Sequence, residues 1–338
     1  MYRLPVAALI LAAVQLVILA SCQSKNLTSA KIYIQQDDWD GALEQLEQAV
    51  EATPDNAEVR FYLGSAYGKS GEFGRMNAEY HAAISLDAQW EPKVARSREE
   101  FWVDSYNRGV EAINNEAYAT AIEEFEHAAI IDPGRLISMK NLGVSYLRAG
   151  RAEEAIRAYE KAGALDPDDL ELSRLLGQLH YNQHRYAEAA AHLQRFLAGN
   201  PNDKDALISL ANAYSLSEQD QQALETLLRV LEVDPDNGAV LANLGRIHWL
   251  REEFSQAIGY YARALEVDPT DADAAHDLAV TYIKLERLEE ALPVLQQAVL
   301  HDPTHADSWY WLGHVSAHMN LVQQSERAFA KVKELRGE

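Results

Sequence analysis

A chain of 338 residues with 52 Asp and Glu against 30 Lys and Arg carries a net charge of −22, so nucleic acid and anionic headgroups repel it. Its one cysteine excludes a disulfide framework and a cysteine-based metal site, and stability must come from packing. Residues 1–21, MYRLPVAALILAAVQLVILAS, begin with one early cation, Arg3, continue through an apolar run and end in small residues. That is the layout of an export signal, and the run also approaches membrane-spanning length. Cys22 follows at once, flanked by Ser21, Gln23 and Ser24, with no apolar core around it. Past it no run approaches that length.

Leu19-Ala20-Ser21-Cys22 resembles the lipobox of bacterial lipoproteins. The resemblance implies a signal peptide at 1–21, cleavage before Cys22, and acylation of that cysteine and of the new α-amine. Several acyl chains anchor stably where one is marginal. An uncleaved anchor remains the alternative. By the same analogy Gln23, standing where aspartate would favour inner-membrane retention, implies an outer membrane facing the periplasm in a diderm host, with the inner membrane as alternative. The tether, 22–26, is short, about 17 Å at full stretch.

The prolines set the organisation of the remainder. Of ten, six fall 34 residues apart, at Pro133, Pro167, Pro201, Pro235, Pro269 and Pro303, and Pro54 leads them by 79. A fixed period of this size means stacked units, here nine: 23–56, 57–90, 102–135, 136–169, 170–203, 204–237, 238–271, 272–305 and 306–338. The seventh contains LANLGRIHWLREEFSQAIGYYARALEVDP. Position 8 is small throughout (Ala30, Gly64, Gly109, Gly143, Gly177, Ala211, Gly245, Ala279, Gly313), and position 24 is Leu, Tyr or Phe. Position 20 is alanine except at Met76 and Ser325.

These features resemble the tetratricopeptide repeat (TPR) family over 23–338. The resemblance implies an all-α fold, a right-handed superhelical solenoid of about nine helix-turn-helix repeats with a concave inner surface. Proline ends each second helix and nearby Asp or Thr caps the next first helix. One hairpin cannot bury its apolar face alone, and its neighbours do so. Repeats one and two occupy 23–90 and repeats three to nine 102–338, separated by eleven extra residues, 91–101, EPKVARSREEF. Pro92 suits a helix start and no Gly or Pro follows before Gly109, so one helix is expected from about Glu91 to Asn114. Eleven residues extend a helix by about 16 Å while nearly keeping its face. The insertion is either a projecting arm or a joint between the two blocks. That arm and the C-terminal edge are where copies of the chain could associate. In the last helix Lys331, Lys333, Glu334 and Arg336 should face water, with Phe329, Val332 and Leu335 inward.

No G-x-S-x-G, H-E-x-x-H or phosphate-cradling glycine loop interrupts the repeats. Acidic pairs such as Glu123-Glu124 and Glu153-Glu154 lie at helix starts, where the helix dipole explains them. No catalysis, cofactor or metal is expected. His180 and His184 read as structural, the first at packed position 11 and the second in a turn. His314, His318 and His276, at positions 9, 13 and 5, face the groove. A metal or pH-sensitive site there lacks a carboxylate at those positions to complete a ligand set.

In the TPR family, positions 5, 9, 12 and 13 line the concave face and contact extended peptides. Here all thirty-six lack Asp and Glu. The resemblance makes Phe61, Tyr106, Lys140, Arg148, Arg174, Gln178, Tyr181, Asn212, Arg246, Trp249, His276, Lys284, Tyr310 and His314 the candidate peptide-binding residues. Lys31 and Lys69 add to the cations. The set does not reproduce the chaperone-type carboxylate clamp, because Val144 follows Lys140 where asparagine is expected. Asn107, Asn141 and Asn243 at position 6 form only part of an asparagine ladder. A basic, aromatic groove suits an acidic or C-terminal carboxylate-bearing segment. The expected function is a non-catalytic, lipid-anchored scaffold assisting assembly of a bacterial envelope complex. The alternatives are the substrate-recognition arm of a separately encoded enzyme complex and a cytoplasm-facing adaptor on an uncleaved anchor.

Overall fold

The computed structural model describes residues 25–337, so the expected signal peptide at 1–21 and Cys22 lie outside the described residues. Those residues form an all-α chain of helix pairs and fall into two compact units, divided between Asp168 and Asp169. In the first unit α1 (25–35) pairs with α2 (Trp39–Ala52), α3 (Ala57–Lys69) with α4 (Phe73–Leu86), α5 (Glu91–Asn114) with α6 (Tyr118–Ile131), and α7 (Leu136–Arg148) with α8 (Ala152–Leu165). The second begins with α9 (Leu170–Asn182) and α10 (Tyr186–Gly199), then α11 (Lys204–Leu216) and α12 (Asp220–Val233). It continues through α13 (Gly238–Leu250), α14 (Phe254–Val267), α15 (Ala272–Lys284) and α16 (Leu288–His301) to α17 (Ala306–His318) and α18 (Val322–Arg336). No described helix is long and apolar enough to cross a membrane.

Each hairpin closes on the contact between positions 8 and 24. Where position 8 is glycine, a side chain occupies the space a Cβ would need: Tyr80 over Gly64, Phe125 over Gly109, Tyr159 over Gly143, Leu193 over Gly177, Tyr261 over Gly245 and Phe329 over Gly313. Where position 8 is alanine (Ala30, Ala211, Ala279) the partner is leucine: Leu46, Leu227 and Leu295. Burying each large side chain contributes about 1.5–3 kcal/mol, and the contacts repeat along the stack. Leu46, Leu63, Met76 and Tyr80 anchor the first unit's core, and Leu207, Leu241, Leu244 and Leu295 that of the second.

The turn inside every hairpin places position 15 in the left-handed region. Glycine fills it only at Gly71 and Gly150, and Asp37, Glu116, His184, Glu218, Glu252, Glu286 and Asn320 carry the same positive φ with a side chain. Most first helices begin on side-chain caps, although α5 and α7, entered from Trp90 and Arg135, do not. Asn56, Asp169, Asp203, Asn237 and Asp271 each accept a backbone N–H of their own first turn.

The eleven extra residues form the first three turns of α5, and these turns lie along α3. Trp90, in the 3-10 turn Ala88–Trp90, packs 5.0 Å from the Phe61 ring. Ser97 Oγ lies 2.7 Å from Tyr80 Oη, and Phe101 fills the space beside Gly68. Val94 is 1% exposed. The second half of α5 forms the hairpin with α6, closed by Gly109 against Phe125. Meanwhile α4 meets α6 directly, Asn77 Nδ2 donating to Ile130 O at 2.6 Å. The insertion is therefore packed along its length, with a polar outer face (Glu91, Lys93, Arg96, Glu99, Glu100). In α18, Val332 is buried and Lys333, Glu334 and Arg336 are exposed.

Candidate functional site

The candidate groove side chains divide into those the fold has already engaged and those that remain exposed. In the first unit Phe61 lies between Trp90 and Tyr80, 5.0 and 5.7 Å from their rings. Tyr106 stacks on Trp102 at 4.8 Å, and its hydroxyl accepts from Asn141 Nδ2 at 3.0 Å. Both rings are packing elements that present an edge. Lys140 is half-buried. Arg148, the last residue of α7, is exposed and makes no ion pair among the described residues. Its charge there complements the helix dipole.

In the second unit Arg174 donates to Glu171 Oε2 at 2.9 Å and lies 5.9 Å from the Phe196 ring. Gln178 Nε2 donates to Asn182 Oδ1 at 3.0 Å, and Tyr181 packs edge-on against Tyr186 at 5.5 Å. Asn212 is half-buried. Arg246 is exposed, and its charge acts on Asp277, at position 6 of the next first helix. Burial is the largest influence on the Asp277 carboxyl and raises it above the usual carboxylate range. Trp249 packs edge-on to Phe254, and its indole N–H is buried with no hydrogen-bond partner among the described residues. Lys284 ends α15, exposed and unpaired among the described residues. Tyr310 and His314 hold each other at 4.4 Å, with His314 edge-on to Phe329.

Acid reaches this face from positions outside the thirty-six. Position 2 precedes position 5 by three residues and so shares its side of the helix. It is acidic at Glu58, Glu171, Asp205, Asp273 and Asp307. Glu58 takes Lys31 at 2.8 Å and Glu171 takes Arg174, so two expected groove cations are already neutralised. The alternation of acid at position 2 with base at 5 or 9 was the available signal.

His276 is half-buried, and its nearest imidazole is neither His314 nor His318 but His305, in the turn before α17, with ring centroids 4.8 Å apart. Ser308 Oγ lies 3.0 Å from His276 Nδ1 and 2.8 Å from His305 Nδ1, and His305 Nε2 is 3.4 Å from Asp273 Oδ1. Burial first, and the His305 charge second, hold His276 below the ordinary histidine range. Asp273, His305 and Ser308 follow the order of a nucleophile triad, but Ser308 is fully buried in the first turn of α17, out of reach of a substrate. His180, likewise buried, stacks on His192 at 5.3 Å. Among the described residues no group of three or more His, Cys, Asp or Glu could hold a metal ion.

A recess of about 570 Å³ lies in the first unit, walled by Trp39, Lys69, Phe73, Phe101, Arg108 and Glu124. Lys69 Nζ lies 5.5 Å from the Trp39 ring and 5.9 Å from that of Phe101. Arg108 is held by both Glu124 oxygens at 2.9 Å and by Asp104, so the charges of that wall are largely internal.

Hairpins of 34 residues, closed by a small residue on a ring or leucine and stacked through their neighbours, define a helical-repeat scaffold. Models described as tetratricopeptide repeat match residues 180–247, 248–310, 106–170 and 140–204, and one described as TPR repeat matches 30–71. The chain belongs to the tetratricopeptide repeat family. No curated protein matches the chain. Among solved structures, YrrB, titled a TPR protein with an unusual peptide-binding site, is 24% identical with a TM-score of 0.46, over 60% of this chain and all of its own. MamA is 22% identical with a TM-score of 0.45, over 49% of this chain and 97% of its own. A MamA from Desulfovibrio magneticus RS-1 is 18% identical with a TM-score of 0.41, over 50% of this chain and 96% of its own.

Proposed function

We propose that this chain is a non-catalytic binding scaffold, tethered through an acylated Cys22 to a bacterial envelope membrane, that helps assemble an envelope complex by holding partner segments on its first-helix faces. The observation that carries the reading is the charge pattern. A chain of net charge −22 keeps Asp and Glu out of all thirty-six groove positions and leaves Arg148 in one unit and Arg246 and Lys284 in the other exposed. Guanidinium and ammonium groups facing solvent favour carboxylate-bearing segments, with Trp249 and Tyr181 adding apolar area. The anchor rests on the sequence around Cys22.

Two measurements test it. Affinity capture should lose acidic partners when Arg246→Glu and Lys284→Glu are combined, and retention of the same partners by both proteins overturns the groove. Labelled palmitate should enter the wild type and not Cys22→Ala, and equal labelling of the two overturns the anchor.

A further inference from the structure

Of the first helices of the second unit, α9, α11, α13 and α15 are capped by a carboxylate or amide, and α17 by an imidazole. His305 Nδ1 accepts the backbone N–H of Ser308 at 3.1 Å. That N–H can only donate, so Nδ1 must carry a lone pair, and the His305 proton resides on Nε2, towards Asp273. The Ser308 hydroxyl, buried between two Nδ1 atoms, then donates to His305 and accepts from His276 Nδ1–H. One proton arrangement thus joins α15 to the start of α17, and it exists only while His305 is neutral.

We propose that the junction between the last two hairpins is a proton-sensitive joint, in which neutral His305 holds Ser308 and caps α17, and acidification releases α17 and α18 from α15 and α16. A second proton on His305 sets a donor against two donors. It also places positive charge at a helix N-terminus, beside the His276 ring.

The charged and titratable groups around His305 act in both directions. Asp273 and His276 face it from α15, and Asp302, whose carboxylate Thr304 holds low, faces it from the preceding turn. Asp307 on α17 is paired with Arg336 of α18 at 3.4 Å. His301, at the end of α16, acts on Asp268. Asp273 and Asp302 attract an imidazolium where it stands and so oppose the release, which is driven by loss of the Nδ1 lone pair that both Ser308 donors use. His276 acts on the side of release. Its affinity for a proton is lower in the packed state than in the released one, so packing is fully supported above the histidine range and weakens as pH falls through it. Asp or Asn at 305 would cap without this sensitivity.

The test uses the free full chain, so its failure leaves the groove reading standing, and the converse also holds. Amide hydrogen exchange is followed at about pH 7.5 and 5.5 and corrected for intrinsic rates, with α11, capped by Asp203, as internal reference. On acidification α17 and α18 should lose about five-fold more protection than α11, the equilibrium worth of one cap. His305→Asn should remove that difference. Equal loss in α11 and α17, or an undiminished difference in His305→Asn, overturns the proposal. Imidazole nitrogen shifts of the wild type provide a check that needs no variant. His305 should carry its proton on Nε2 at pH 7.5, and a proton on Nδ1 there overturns the proposal.

Discussion

Gly64 and Tyr80 compete for one volume: a Cβ on Gly64 would lie 2.6 Å from Tyr80 Cδ1. The ring is itself pinned, its hydroxyl 3.1 Å from Ser65 Oγ and 2.7 Å from Ser97 Oγ. Gly64→Ala should therefore cost about 1–3 kcal/mol by overpacking. The partner at position 24 decides the sign, because alanine at position 8 already occurs opposite Leu46, Leu227 and Leu295. Tyr80→Leu should recover part of the loss in Gly64→Ala, which a double-mutant cycle in urea will show. Gly259→Ala, with nothing within 4 Å of the new Cβ, should instead stabilise by about 0.5–1 kcal/mol.

The turns offer independent gains. Glu218, Glu252 and Glu286 hold φ near +60°, where a side chain crowds the following carbonyl at a cost of about 1–2 kcal/mol. Replacing each by glycine should relieve most of that strain, and because the three turns are separate the gains should add. Thermal melts of the single and triple variants check this. Gly150→Ala, at the equivalent position, should shift the melt downwards.

The two effects mark where the sequence was legible. The all-α repeat fold was, because Pro133 to Pro303 and the small residues at position 8 recur at a fixed interval whatever the packing detail. That position 8 must be glycine opposite a ring and may be alanine opposite leucine is a relation between two helices, visible once the hairpin closes. The groove was harder for the same reason. Counting positions 5, 9, 12 and 13 exposed the cations, but Glu58 reaches Lys31 from the neighbouring helix and Glu171 reaches Arg174 from one turn away. The cap of His305 on α17 and its contact with His276 depend on how α15 and α17 are set side by side.

Alkali should unfold the protein through its tyrosines. Burial, then the hydrogen bond to Glu47, pushes Tyr67 up to about 12, and burial, then Glu126, does the same for Tyr146. Burial alone pushes Tyr159 up to about 12. The unfolded chain ionises these phenols near 10, so stability is intact below that pH and declines as pH rises from 10 towards 12. Replacing Tyr67 and Tyr146 by phenylalanine should move the alkaline midpoint upwards, as read by circular dichroism. At neutral pH it should cost about 0.5–1.5 kcal/mol for each lost hydrogen bond.

The extra turns of α5 separate a packed joint from a free arm by mutation. Trp90 fills the space beside Phe61 at the start of these turns, and Val94 is almost fully buried. Removing the indole in Trp90→Ala leaves a cavity that α3 and α5 can close only by moving together, at an expected cost of about 3–5 kcal/mol. Val94→Asp places an unpaired carboxylate in the same core and should be at least as harmful, whereas Arg96→Ala on the exposed face should fall within about 0.5 kcal/mol of wild type. Hydrogen exchange should show the Trp90→Ala loss in α3 and α4, which rest on these turns. If the eleven residues stood free of the helices around them, Val94→Asp and Arg96→Ala would both be silent, and equal urea midpoints for these two would overturn the packed assignment.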